Sequence, residues 1–505
     1  MAILEPRSFH QAIEIAGKNH GDSLSTNDSL LMLRVSELRW NSLFSFLSAF
    51  IQLGSNTLLF WGVARIFGAE AFGQFTLAHL LAIIFLYLSD FGIDLLFTTD
   101  LARERQHATQ LFCRFASLKV IFVGGALVVM MLLIGGSDFS PGTRLLLCLF
   151  VPSVVFTAIS NFVFALFRGF EQLQHQTRIS FLQNVALLLS LAIMALTRAP
   201  LWLFATAYTL SRAVGVILAV RTALTLIDGR HLRLKFDEGV ALLQRVWPFG
   251  IHLILAVLLF HLDTLLLSFF EDDYSVGIYQ AVMKLVTLTL ILPDVLIQAM
   301  LPTLARLHSE NEYLWLRLGR FVNKTLLFVS LPLAFVFVNY PDTIISLVYG
   351  STEFAAAIPL MQLAGAMIVF RFVLETYGVM LTAQGEQWRR TRAVVLATTL
   401  ALAGNLYAIP RFSRQGALTI ALAVSAVLMV TLMLSQREFS LGRSLESRCL
   451  APLVAILALS LGMWHLSPRA RLLLLLPALL FYLSITLAFG YSADERRMIS
   501  RGQQS

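Results

Sequence analysis

The sequence predicts an all-α, polytopic integral membrane protein. It would have about fourteen transmembrane helices, arranged as two pseudo-symmetric six-helix lobes plus two C-terminal helices. Three observations carry this expectation. Among 505 residues, 57% are hydrophobic and only 13% charged, against roughly 25% charged in a soluble domain. Twelve segments of at least 17 residues contain no Asp, Glu, Lys or Arg, and about 20 apolar residues span a bilayer as helix, 17 being near the lower limit. A spaced set of residues also recurs about 204 positions further on. Secreted, cytosolic and nucleic-acid-binding classes are excluded.

The apolar runs place the spans, in order, at 40–65, 74–97, 118–135, 145–167, 179–197, 200–222, 247–269, 276–303, 325–340, 356–384, 392–410, 416–436, 450–467 and 471–491. The sixth and eighth carry isolated charges. Residues 1–39 are polar and of mixed charge, so they read as a tail without a cleavable signal peptide, and the first span itself directs insertion. The first lobe covers 40–226. A linker at 227–246 mixes Asp237 and Glu238 with Arg230, Arg233 and Lys235. The second lobe covers 247–436, the extra pair 450–491, and a short tail 492–505. The longest outer connection runs from Tyr340 to Glu353.

Net charge is +8, and its distribution explains it. Alternate connections carry 28 Lys or Arg on the side of the N-terminus and 7 on the other. This is the positive-inside pattern, which places both termini in the cytoplasm. No nucleic acid is needed to account for the basic excess. Cys113, Cys148 and Cys449 have no metal-ligand spacing, and no structural disulfide is expected.

The repeat supports the two-lobe division. Gly73, within Phe72-Gly73-Gln74-Phe75, is followed after seventeen residues by Asp90 and then by Leu101-Ala102-Arg103. Gly277, within Val276-Gly277-Ile278-Tyr279, is followed after seventeen by Asp294 and then by Leu304-Ala305-Arg306. An even number of helices per copy gives both lobes the same orientation. Parallel repeats about an axis along the membrane normal are one transporter plan, with the path between them.

Residues 63–103 resemble the opening helix pair of the bacterial lipid-linked oligosaccharide flippases, in Val63-Ala64-Arg65-Ile66-Phe67-Gly68 and Glu70-Ala71-Phe72-Gly73. Those flippases belong to the multidrug/oligosaccharidyl-lipid/polysaccharide exporter superfamily. The resemblance continues through Val276 to Lys284, Pro302, Ile345 to Gly350, Asn405, Ile409-Pro410 and Gly416-Ala417. Leu418 then departs from the second Ala common in the family. The resemblance implies a two-lobed exporter with a cavity alternately open to each side. The implied cargo is a polyprenyl-diphosphate-linked oligosaccharide of surface polysaccharide assembly (O-antigen or exopolysaccharide). It also implies an inner-membrane location. The implied partners are membrane lipids and, from the same pathway, a polysaccharide polymerase and glycosyltransferases.

Charges inside spans cost about 2.5–3.5 kcal/mol each at the bilayer centre and seldom face lipid. The basic ones are Arg212, Lys284 and Arg371, roughly 18, 10 and 20–25 Å from the outer ends of their helices at ~1.5 Å per residue. A diphosphate needs cations, and Arg grips phosphate oxygens bidentately, so these three are the candidate cargo-binding residues. Each has a structural alternative: Arg371 pairing with Glu375 four residues on, Arg212 bonding to carbonyls, and Lys284 meeting a carboxylate from another helix. Asp263, Glu375, Asp90 and Asp294 are candidates for coupling or gating. Asp263 also fits an interfacial carboxylate near its helix end, while Asp90, with Asp94, and Asp294 fit pairing near Arg103 and Arg306. His252 and His261 are about 180° apart on a helix, so no metal site is expected, and no cofactor. No GxxxxGK[ST] loop is present, so ATP is not the direct energy source. A cation-coupled multidrug antiporter of the same superfamily is the alternative function. A membrane polymerase or ligase is the third, disfavoured because Glu271-Asp272-Asp273 is a tight acidic turn rather than a catalytic domain. The protein is expected not to be an enzyme.

Overall fold

A computed structural model of the protein describes residues 23–227, 239–350, 352–436, 447–464, 466–492 and 495. Eleven helical stretches are long and apolar enough to cross a membrane, and Leu450–Met463 is a shorter apolar one. Two of the eleven reverse direction within themselves, at Gly68 and at Ser413. The described residues therefore contain fourteen spans, as the apolar runs predict.

We label them in chain order: α1 (23–67), α2 (69–103), α3 (Ala108–Gly136), α4 (Pro141–Gly169), α5 (Leu173–Leu196), α6 (Leu201–Ala223) and α7 (Gly239–Phe270). Then follow α8 (Asp273–Glu310), α9 (Glu312–Asn339), α10 (Ile358–Ala383), α11 (387–412), α12 (414–435), α13 (Leu450–Trp464) and α14 (Pro468–Ile485). In lipid every backbone polar group must bond within the protein, so apolar segments have little choice but helix. The ends are set by local chemistry. Ser140 and Asp272 cap α4 and α8 by accepting from Thr143 N and Ser275 N, which satisfies otherwise orphaned donors.

The sequence places a loop at 66–73, but a single residue makes the α1–α2 turn. Gly68 has φ of 80°, a conformation open chiefly to glycine, and the Glu353 carboxylate occupies the space a Cβ would need. The outer connection after α9 is likewise structured, as a short helix Pro341–Tyr349 and a 3₁₀ turn Thr352–Ala357. The first helix begins at Ser23 rather than at 40, and α7 begins at Gly239. Most of the linker, 228–238, lies outside the described residues.

Both α2 and α8 break partway. In α2 the break is at Phe91 (φ 45°) and Gly92 (φ 80°), and in α8 it is at Leu290, between Thr289 and Ile291. The largest apolar core joins α1, α2 and α4–α6 to α8–α10 near the α1–α2 turn. A second core ties α9 and α10 to α13 and α14. The extra pair is fastened there by polar contacts too. Asn339 donates to Ser460 Oγ (2.6 Å) and Tyr482 to the Phe328 carbonyl (3.0 Å). Buried Lys324 bonds both oxygens of Glu495 at 2.9 and 3.1 Å. Helices α13 and α14 are thus fixed to the second lobe. Between them lies an apolar groove of about 720 Å³ lined by Val454, Ala458, Gly462, Leu474, Phe481 and Phe489.

Candidate functional site

The two lobes meet where α2 crosses α8. A Cβ on Gly73 would overlap the Asp273 carbonyl, and a Cβ on Gly277 would overlap the Ala69 carbonyl. Ala69 and Asp273 are related by the same 204-residue offset as Gly73 and Gly277, so the contact maps onto itself when the lobes are exchanged. A twofold interface has that property where its axis passes. The repeat read from the sequence is therefore a physical axis, and glycine is required on both sides of it because backbone touches backbone.

Around this crossing the end of the molecule bearing the α1–α2 turn is shut. The Asp273 carboxylate accepts from Ser140 Oγ (2.5 Å) and Thr143 Oγ1 (3.2 Å) at the start of α4. Glu353 accepts from the Ala69 N–H at the start of α2 (3.0 Å). Trp61 donates to the Val348 carbonyl, and Arg65 to that of Leu347 (3.3 Å). The lobes also touch at the end bearing the basic connections. There the α2 break packs on Phe249 and Gly250 of α7, Phe91 lies 5.8 Å from the Trp247 ring, and Asp100 pairs with Arg245 at 2.9 Å.

Between these two sets of contacts runs a row of basic groups. Arg212 of α6 is 4% exposed, with Nε and Nη2 lacking hydrogen-bond partners among the described residues. Its guanidinium lies 4.4 Å over the Tyr208 ring. His79 of α2 is buried against Phe60, Phe150 and Tyr208, with Nε2 3.2 Å from the Tyr208 hydroxyl. It is within Coulombic range of Arg212, Lys284 and His261. Lys284 Nζ sits 3.7 Å from the centre of the Phe60 ring. His261 is in turn within range of Lys284 and Arg371. Arg371 lies 5.2 Å over Phe260 and donates from Nε to Ser425 Oγ (3.2 Å). The row crosses from one lobe to the other. Arg212, Lys284 and Arg371 each rest on an aromatic face, an attraction worth about 0.5–2 kcal/mol, rising with desolvation.

Among the described residues, Lys284 is bonded to no carboxylate. Arg371 takes Ser425 rather than an ion pair with Glu375, although Glu375 and Asp263 are within Coulombic range. Two nitrogens of Arg212 meet no carbonyl among the described residues.

The acids need correction. Asp90 and Asp94 pair with Lys119 of α3, at 2.9 and 2.8 Å, not near Arg103. Lys119 reads from sequence as one more basic residue beside a connection, but it is buried, and this is why the pairing escapes a sequence reading. Arg306 meets Glu310 at 3.9 Å rather than Asp294. Asp294 is exposed and within Coulombic range of Glu375, which also feels Arg390 and Arg371. Asp263 is not interfacial. It is buried, accepts from the Tyr279 hydroxyl and the Thr264 N–H (2.9 Å), and lines a cavity of about 40 Å³ with Arg371, Asn405 and Ser425. No group of three His, Cys, Asp or Glu among the described residues could hold a metal, and the side chain of His252 lies outside them. His79, Phe60 and Tyr208 are further site residues that the sequence left unread. Only a lone histidine in an apolar run signalled any of them.

The family described as polysaccharide biosynthesis protein matches residues 38–308. The chain belongs to it. Among solved structures, it is similar to the lipid II flippase MurJ in an inward closed conformation, with a TM-score of 0.70 at 14% identity, covering 91% of this chain and 99% of that one. It is also similar to an inward-facing multidrug resistance MATE family transporter (TM-score 0.60, 13% identity, 76% and 92% covered). A third is the MATE multidrug transporter DinF-BH (TM-score 0.58, 17% identity, 80% and 96% covered). No curated protein matches the chain in sequence. This member of the polysaccharide biosynthesis family has the multi-pass, all-α membrane fold of those structures.

Proposed function

We propose that the protein flips a lipid-diphosphate-linked oligosaccharide from the inner to the outer leaflet of a bacterial inner membrane, with both termini in the cytoplasm. The single observation that carries this reading is the row of cations at the lobe junction. Arg212, Lys284 and Arg371 rest on rings rather than on carboxylates, so their charge stays available to an anion. An oxyanion offers them charge-assisted hydrogen bonds, which are about twice as strong as neutral ones. A diphosphate passing between the lobes would be held by Arg212 on one side and by Lys284 and Arg371 on the other. Asp263, Glu375, Asp90 and Asp294 are the groups through which gating or coupling would act, and their partners differ enough to assign them different parts. Asp90 belongs to a closed structural knot with Lys119. Asp294 and Glu375 are bonded to no cation among the described residues. Those two acids are what favours the second reading, a cation-coupled multidrug antiporter, since a cationic drug needs carboxylates. O-antigen or exopolysaccharide units are the cargo the first reading favours, supplied by glycosyltransferases and consumed by a polymerase.

Export and membrane abundance measured together for Lys284 variants test the reading. Lys284→Ala should abolish polysaccharide export with abundance near wild type, Lys284→Arg should keep part of it, and Lys284→Glu should be worse than Ala. Normal export by the Ala variant would sink the diphosphate role of Lys284. Drug resistance conferred without any effect on polysaccharide would favour the antiporter.

A further inference from the structure

We propose that Phe60 is a positioning residue for Lys284, and that the contact between them is an inter-lobe lock which the anionic cargo releases. Phe60 is on α1 in the first lobe and Lys284 on α8 in the second, so their 3.7 Å contact exists only while the lobes are together at that level. Lys284 is seven residues below Gly277, roughly 10 Å along the helix. The lock therefore lies just beneath the glycine crossing.

The ring cannot follow a retreating lysine. Phe60 is 5% exposed and held edge-on by Phe72, Phe75 and His79, with centroids 6.4, 5.8 and 5.0 Å away. If the lobes part here without cargo, half-buried Lys284 loses the ring face and is bonded to no carboxylate among the described residues. The cation–π attraction is then lost with nothing in its place. With cargo present, the diphosphate oxygens replace the ring as the partner of Lys284, and parting costs less. A ligand shifts a conformational equilibrium only by its differential interaction with the two states, and this exchange of partners supplies one. After release, reseating of Lys284 on Phe60 favours closure of the empty protein. The inference rests on the diphosphate-cargo reading for its ligand but not for the lock itself.

The test uses the full chain in nanodiscs, with Cys113, Cys148 and Cys449 changed to Ser. Spin labels go at Leu196 and Phe412, both exposed, at the ends of α5 and α11 in opposite lobes. Electron–electron distance measurements then report how far the lobes have parted, with and without a polyprenyl diphosphate in the lipid. The wild type should show mainly the short distance alone and gain a longer one with the ligand. Phe60→Leu should raise the open-to-closed ratio about tenfold or more without ligand. Lys284→Met should do the same, and the double variant should add nothing further, because both remove one contact. Phe60→Tyr, which keeps the ring face, should behave as wild type. An unchanged distribution for Phe60→Leu, or additive effects in the double variant, would overturn the lock. If the single variants open the seam but polyprenyl diphosphate leaves the wild type unmoved, the lock stands and the diphosphate-cargo reading fails.

Discussion

The second helix of the first lobe and its counterpart in the second, α2 and α8, are alike at one end and unlike at the other. At the crossing, Gly73 faces Gly277 and each contacts the backbone four residues before its partner. Seventeen residues on, the likeness ends. Asp90 and Asp94 flank the α2 break and both bind Lys119, whose side chain is 6% exposed, with Arg168 also in Coulombic range. Asp294 follows the α8 break, is exposed, and is bonded to no cation among the described residues. The residue at the position of Lys119, offset by 204, is Asn323. Its neighbour Lys324 is engaged instead with Glu495. The difference follows from distance to the axis. On the axis the two copies touch one another, so a change in either is felt by both. Away from it each copy touches only its own lobe, and one lobe can keep an acid neutralised while the other leaves it charged.

The largest effect expected from this comparison is at the crossing. Gly73→Leu or Gly277→Leu drives a side chain into opposing backbone, which cannot rotate away, so the closed arrangement should be lost and the folded protein recovered in detergent should fall sharply. Gly73→Ala and Gly277→Ala sharpen the point. Because the contact is self-related, their thermal shifts should be similar in size, and a twofold or greater disparity would break the symmetry argument. Next in size is Lys119→Ala, which strands buried Asp94 and half-buried Asp90. Removing one partner of a buried ion pair costs about 3–5 kcal/mol, so unfolding should move by several degrees or more. Adding Asp90→Asn and Asp94→Asn to Lys119→Ala should recover much of that loss. Without such recovery the knot would not be what holds α2 to α3.

Fold and site were unequally legible in the sequence, for physical reasons. A span must be apolar over most of its length, so the absence of charge over 17 residues announces twelve of the fourteen. The repeat was legible because glycine at a backbone crossing has no substitute. Lys284, Arg212 and Arg371 stood out because charge in an apolar run is costly. Their seats did not stand out: Phe60 is one of 39 phenylalanines, and no local pattern marks the one that lies beneath a lysine from the other lobe. Lys119 was hidden for the opposite reason. It is near a basic connection in sequence, and only the packing of α3 against α2 buries it. The Gly68 turn reads as a loop in sequence because a single left-handed glycine can reverse a helix without the polar residues that usually signal a connection.

The smallest expected effect is at Asp294, and it decides what the asymmetry between α2 and α8 is for. An exposed carboxylate without a bonded cation contributes little to folding, at most about 1 kcal/mol either way, so Asp294→Asn should leave thermal stability and membrane abundance near wild type. Asp90→Asn should lower stability clearly, because Lys119 then keeps only Asp94. Transport separates the remaining possibilities. If Asp294 is retained for its charge in the transport cycle, with Glu375 as its neighbour across α8 and α10, Asp294→Asn should lower export several-fold at unchanged abundance, and Asp294→Glu should restore it. Normal export by Asp294→Asn would remove Asp294 from gating and coupling and leave the α8 copy a relic of the repeat. A loss of stability matching that of Asp90→Asn would show that the two aspartates do the same structural work, and the contrast between the lobes would fail at the residue where it is drawn most strongly.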